Sequence, residues 1–262
     1  MKIALLQPEC VLGDREHNFN RAKELFNEAV RKGAEFLVLP ELFYEGYNLK
    51  SYTKENAGET AKQNLEMIDR FKVLCKDSAV WAVVPFVDKE GDKLYNALVL
   101  IDANGEINCK YRKMHLWDAD KNCFEYGDLG PCIVDTPFGR LALMICYDID
   151  FPEMARYAAL NGAEVIILPS AWDYIHKDLW EIFLSARAAD NMIFVCGVNF
   201  FEKTGSGHIF GNSRIVNPRG TVVAQLPAHE EGALVYEIDI NDVYKYRKRF
   251  PYLEDRRIDF LK

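Results

Sequence analysis

Two stretches of the 262-residue chain, "GAEFLVLPE" (Gly33 to Glu41) and "GAEVIILPS" (Gly162 to Ser170), run through the same succession of residues. Each opens on a Gly-Ala-Glu turn, continues as an unbroken apolar run and closes on Leu-Pro or its equivalent. A strand that is apolar at every position has no face to give to water, so other elements must cover both faces. Helical patterns stand before both stretches. From Asn18 to Lys32, Ala22, Leu25, Phe26 and Ala29 share one face, and a second helix is predicted from Pro152 to Asn161.

Further helices are predicted over Thr60 to Asp77 and Leu179 to Asn191. Apolar strands are predicted over "KIALLQ", "WAVVPFV", "LYNALVLID", Leu141 to Cys146 and "MIFVCGVNF", with another near Cys132 to Asp135. Asn104-Gly105 leads into "EINCKYRK", and Pro218-Arg219-Gly220 joins "NSRIVNP" to "TVVAQL", so both are turns between antiparallel strands. "ALVYEIDI" and a short helix follow. The economical arrangement is α/β, with two sheets face to face and helices outside, a four-layer α-β-β-α sandwich.

No shift in composition marks a linker, so residues 1–262 are read as one domain. Its core runs to about residue 245. The aromatic, basic tail at 246–262 suits a subunit contact in a homodimer or larger assembly. A net charge of -8 and the lack of a basic run argue against a nucleic-acid surface. The N-terminus has only four consecutive apolar residues before Gln7, too few for a signal peptide, and no run approaches a membrane span. The seven cysteines (Cys10, Cys75, Cys109, Cys123, Cys132, Cys146 and Cys196) contain no C-x-x-C pair and suggest neither a disulfide framework nor a metal site. These features predict a reduced, cytoplasmic protein that binds neither membrane nor nucleic acid.

In α/β sheets the carboxyl ends of strands are where ligands sit. Three predicted strands finish on a reactive side chain: "EFLVLP" on Glu41, "EINCKYR" on Lys113 and "LALMI" on Cys146. A free thiol is mostly protonated at neutral pH, yet its thiolate is a strong nucleophile. Glu41 beside it suits a general base that takes the thiol proton during attack. Lys113 and the backbone N–H of Tyr147 suit the oxyanion of a tetrahedral intermediate. Taken singly, the thiol reads equally as a small core residue, the carboxylate as a helix-start charge and the lysine as a surface charge.

Together, "LPELFYEGY", "KYRKMHLW" and "ICYDIDFPE", with "ARAADNMIFVCGVNF" and "SRIVNPRG" later on, resemble the nitrilase superfamily of carbon–nitrogen hydrolases over nearly the whole chain. The resemblance, closer to amidase-type branches, implies the four-layer sandwich, a homo-oligomer and no cofactor. It also implies hydrolysis of a small amide through a thioester on a Glu41-Lys113-Cys146 triad. N-carbamoyl compounds and nitriles are alternative substrates for the same triad. Many members carry a second glutamate before a Phe-x-x-Gly. Here the matching position, anchored on Phe124 and Gly127, is Asp120, one methylene shorter and expected to reach the lysine or cysteine less well.

Tyr47, Trp117 and Trp172 are candidate pocket walls, with packing at a loop base as the alternative. The pocket is expected between the aperiodic stretch at Trp117 to Gly130 and Trp172 to Asp178, where no charged residue announces a carboxylate or amine on the substrate. Asp148 and Glu153 read as turn and helix-start charges with Arg156 as partner, and His115 as structural. Rival readings are a metal phosphatase using Asp148-x-Asp150, a Cys-His enzyme, and a non-catalytic binding protein on the same scaffold.

Overall fold

The computed structural model describes residues 1–53, 55–202 and 208–257. Its elements run β1 (Lys2–Gln7), β2 (Glu9–Cys10), α1 (Arg15–Arg31), β3 (Phe36–Val38), α2 (Ala57–Ser78), β4 (Trp81–Glu90), β5 (Lys93–Ile101), β6 (Ile107–Arg112), β7 (Cys132–Thr136) and β8 (Gly139–Leu143). There follow α3 (Pro152–Leu160), β9 (Val165–Ser170), α4 (Lys177–Asn191), β10 (Phe194–Asn199), β11 (Phe201–Glu202), β12 (Arg214–Val216), β13 (Val222–Gln225), β14 (Gly232–Glu237) and α5 (Asn241–Arg249).

The strands form two six-stranded sheets, ordered β14-β1-β3-β4-β5-β6 and β13-β12-β10-β9-β8-β7, with β2 and β11 paired apart. In the first, β1, β3 and β4 are parallel, and in the second β8, β9 and β10 are parallel. The flanking strands in both run antiparallel. The repeated Gly-Ala-Glu stretches are thus β3 and β9, the middle strands of two matching strand-helix-strand-helix-strand units.

Alternation along the central strands builds the layers. In β1, Ala4 and Leu6 pack with Phe19, Phe26 and Phe71 of α1 and α2, whereas Ile3 and Leu5 pack with Leu141, Ile166 and Val195 of the opposite sheet. On the far side Trp180, Leu184 and Ala188 of α4 complete the stack. The order is helices, sheet, sheet, helices: the α-β-β-α sandwich expected from the apolar strands.

Local chemistry sets the boundaries. Asp14 caps α1, its carboxylate accepting from His17 N at 3.1 Å, so that helix begins three residues before Asn18. The turn after β5 needs Gly105, which has φ +79° and where a Cβ would stand 2.6 Å from Lys72 O. Two boundaries differ from the sequence reading. β3 stops at Val38, and β8 stops at Leu143, so Cys146 is not a strand residue. Residues 258–262 of the tail lie outside the described residues. What is described of it, from Tyr246 on, finishes α5 and a short turn, with Tyr252 about half exposed.

Candidate active site

Past β3, the chain turns at once and buries Glu41 completely. Its Oε1 accepts from Lys113 Nζ and from Asn96 Nδ2, both at 2.7 Å. Its Oε2 accepts from Ala171 N at 2.8 Å, just beyond the end of β9. The two matching strands therefore meet at this carboxylate: one delivers it and the other holds it.

Lys113 follows β6 and stays in register with β5 through its N–H to Asn96 O at 2.8 Å. Its ammonium is buried and donates to Glu41 and, at 2.7 Å, to Asp120 Oδ2. Asp120 thus reaches the lysine in full, against the expectation that its shorter side chain would fall short. A local turn carries the carboxylate inward, where it is fully buried. Residues Asp118–Asn122 form a 3₁₀ turn inside the aperiodic stretch, and Phe124 N bonds back to Asp120 O at 2.8 Å. Tyr47 OH donates to Asp120 Oδ1 at 2.6 Å. Gly127 locks the other side, donating to Lys113 O at 2.8 Å where a Cβ would lie 2.1 Å from Arg112 O.

Cys146 opens a 3₁₀ turn, Cys146–Asp150, three residues past β8, with φ +45°. A non-glycine residue in this region is strained and persists only where its surroundings hold it. Asp148 does the holding. Its carboxylate accepts from Ile145 N at 3.0 Å, Tyr111 OH at 2.6 Å and His115 N at 3.0 Å. The His115 ring, 2.9 Å from the same carboxylate, stacks on Phe151 at 3.9 Å. This agrees with a structural His115 and leaves Asp148 as the brace of the turn rather than a ligand. Arg156 is not its partner: it donates to Asp190 O at 2.8 Å. Arg187, which the sequence reading passed over, clamps the end of the turn through Ile149 O at 3.0 Å and Asp150 O at 2.7 Å.

The Cys146 thiol lies beside the Glu41 carboxylate and the Ala171 backbone, both of which act on its proton affinity. Burial, then the Glu41 carboxylate, push this thiol well above its usual range, with Lys113 opposing. Burial also raises Glu41, with Lys113 pulling it down and Asp120 pushing it up. Burial works against the Lys113 charge, but Asp120 and Glu41 beside it lift the ammonium well above the ordinary lysine range. The resting pattern is a neutral thiol, a carboxylate able to take its proton and a permanent ammonium.

A cavity of about 350 Å³ opens onto Cys146, walled by Tyr47, Trp117, Tyr147 and Trp172. All three aromatic candidates are therefore walls, and Tyr47 is also tied to the buried acid. Trp172 is fixed by Asn199, whose Oδ1 accepts from Trp172 N at 3.0 Å. Asp150 and Glu202 line the cavity as well, from outside the two segments expected to shape it.

The carbon-nitrogen hydrolase family profile matches residues 2–248. The chain belongs to the carbon–nitrogen hydrolase family. As a carbon–nitrogen hydrolase it is an enzyme of the hydrolase class, and its relatives agree. It is 31% identical to a probable nitrilase of Schizosaccharomyces pombe, the alignment covering 99% of this chain and 97% of that one. It is 33% identical to the chloroplastic omega-amidase of Arabidopsis thaliana over 95% of this chain and 70% of that one. Its fold superposes with a TM-score of 0.86 on an amidase of Nesterenkonia sp. AN1, at 30% identity and covering 99% and 94% of the two chains. In that amidase mutant the acetamide moiety of fluoroacetamide is covalently added to the active site cysteine. A cysteine-to-alanine mutant of the same amidase is in complex with butyramide. Among the described residues of this carbon–nitrogen hydrolase, no group of three or more His, Cys, Asp and Glu could hold a metal ion.

Proposed function

We propose that the protein hydrolyses the C–N bond of a small amide through a thioester on Cys146. The observation that carries this reading is the buried cluster in which Glu41 binds the Lys113 ammonium and stands beside the Cys146 thiol, at a cavity of substrate size. Glu41 takes the thiol proton as sulfur attacks the amide carbon. Lys113 has committed two of its three N–H donors, to Glu41 and Asp120, and the third serves the oxyanion together with Tyr147 N–H. Collapse of the intermediate breaks the C–N bond, and the proton on Glu41 leaves with the ammonia or amine. Water, deprotonated by Glu41, then attacks the thioester and releases the acid and the thiol.

Amides are favoured over nitriles by the named amidase and omega-amidase relatives, and N-carbamoyl compounds fit the same steps. The reading includes a single functional domain and a cytoplasmic setting, supported by seven free thiols that suit a reducing compartment. It also includes a homo-oligomer, supported by the exposed Tyr157, Leu160 and Ile182 on the outer helices and Tyr252 in the tail. Light scattering behind size exclusion tests the last point, with twice the 262-residue mass or more expected.

The test of the chemistry is ammonia release from aliphatic amides, ω-amides, N-carbamoyl compounds and nitriles. Wild type is expected to act on the amides, and Cys146→Ala to lose about 10³-fold or more while keeping its fold by circular dichroism. Full activity in that variant would overturn the reading.

A further inference from the structure

The cavity has a charge pattern that the triad does not use. Its described lining includes the acids Asp150, Asp173 and Glu202 and neither a lysine nor an arginine. Lys203 lies outside the described residues. The buried Lys113 is already held by two carboxylates, Glu41 and Asp120. Arg187 donates to the Ile149 and Asp150 carbonyls and does not line the cavity. Histidines aside, the charged side chains among the described lining residues are therefore all acids.

The three acids are not equivalent. Asp173 caps a 3₁₀ turn, its carboxylate accepting from Ile175 N at 2.9 Å, and Glu202 adds to burial in raising the Cys10 thiol on the paired strand. Asp150 is different. Its Oδ1 is buried without a hydrogen-bond partner, and the residue lines the cavity that also contains Cys146. A buried carboxyl oxygen lacking a donor is costly unless something supplies one. Burial also lifts the Asp150 carboxyl to about 6, with Arg187 and Lys113 opposing and Asp148 adding. Such a group still ionises at neutral pH and gains most from a cationic neighbour.

We propose that Asp150 is a specificity residue that receives a protonated amine on the substrate, so that the preferred substrates are primary amides of ω-amino acids and anionic ω-amides are disfavoured. The inference deepens the amide-hydrolase reading and rests on it. The nucleophile and the acid stand at the two ends of one 3₁₀ turn. At ~2.0 Å of rise per residue that separates their backbones by roughly 8 Å. A substrate whose amide carbon lies over the thiol thus needs a spacer of about three carbons to bring its ammonium to Asp150.

Three substrates of matched length test this: 4-aminobutanamide, pentanamide and the monoamide of glutaric acid, compared by kcat/KM at neutral pH. The expected order is cation, then neutral, then anion, with a gap on the order of tenfold or more between first and second. The Asp150→Asn variant should collapse the cation-to-neutral ratio toward one, and Asp150→Arg should raise the anion above the cation. A ratio is read because a variant that merely disturbed the turn would lower all three rates together. The wild-type order stands as a test even if neither variant folds. Equal rates in wild type, or the glutaric monoamide ranking first, would overturn the inference while leaving the amide reading intact. An unchanged ratio in Asp150→Asn would remove Asp150 from the role. Silence toward all three and toward every other amide would sink both.

Discussion

Asp120 shows how one residue can be indispensable without touching substrate. It holds Lys113 together with Glu41 and is itself held by Tyr47. With two anions facing one cation, the ammonium stays charged through the working pH range and its free donor stays aimed. Replacing Asp120 with Asn removes one anion and leaves the geometry nearly unchanged. The expected result is a fall in kcat of about 10- to 100-fold with little change in KM, and an alkaline limb of the pH profile that moves down because Lys113 loses its proton more readily. A profile that keeps its alkaline limb would show that Glu41 alone sets the lysine. Asp120 was legible as a position, from its spacing to Phe124 and Gly127, but its reach was not. Reach depends on the 3₁₀ turn that carries it inward, and no periodicity signals such a turn. Asn96 and Ala171, which bind Glu41, were illegible for a different reason: one lies mid-strand, and the other acts through its backbone.

Among the elements, β6 and the loop that returns to it carry the tightest steric condition. Gly127 packs its backbone against Arg112 and Lys113 so closely that any side chain meets a carbonyl oxygen rather than a movable group. Gly127→Ala should therefore lower stability by about 2–4 kcal/mol and displace Lys113, measured by urea denaturation and by loss of amide hydrolysis. Wild-type stability in this variant would mean that the loop can shift freely. Helices and central strands could be read from sequence because their apolar periods are long and unbroken. The end of β8 could not. Met144 and Ile145 continue the apolar run, so composition alone carried the strand on to Cys146. Backbone pairing instead stops at Leu143, because the chain must turn to place Cys146 at φ +45°. Asp148 was assigned to the turn correctly, but Arg156 as its partner was an error of proximity in sequence. The partners that matter, Tyr111 and His115, come from β6 of the other sheet and the loop just past it.

At the scale of the whole molecule, the buried acids and thiols give the fold a pH limit on the alkaline side. Burial raises Cys10, Cys75 (to about 12), Cys146 and Cys196. In the unfolded chain the same thiols ionise near pH ~8.5, so the unfolded state there releases protons that the folded state keeps. Stability is fully present below that pH and is lost as pH rises through the raised values, by about 1.4 kcal/mol per pH unit for each thiol. Denaturation under reducing conditions should thus show a loss of several kcal/mol between about pH 8.5 and 10. A flat stability over that window would mean that the thiols are open to water in the folded protein.

Glu41 and Lys113 follow strands of the first sheet, and Cys146 and Ala171 follow strands of the second, so the reacting atoms are assembled across the seam where the two sheets face each other. Neither half of the chain owns a working set. Turnover is therefore a gauge of alignment between the halves: a sliding of one sheet over the other by a fraction of a hydrogen-bond length would silence the protein while every strand and helix remained in place.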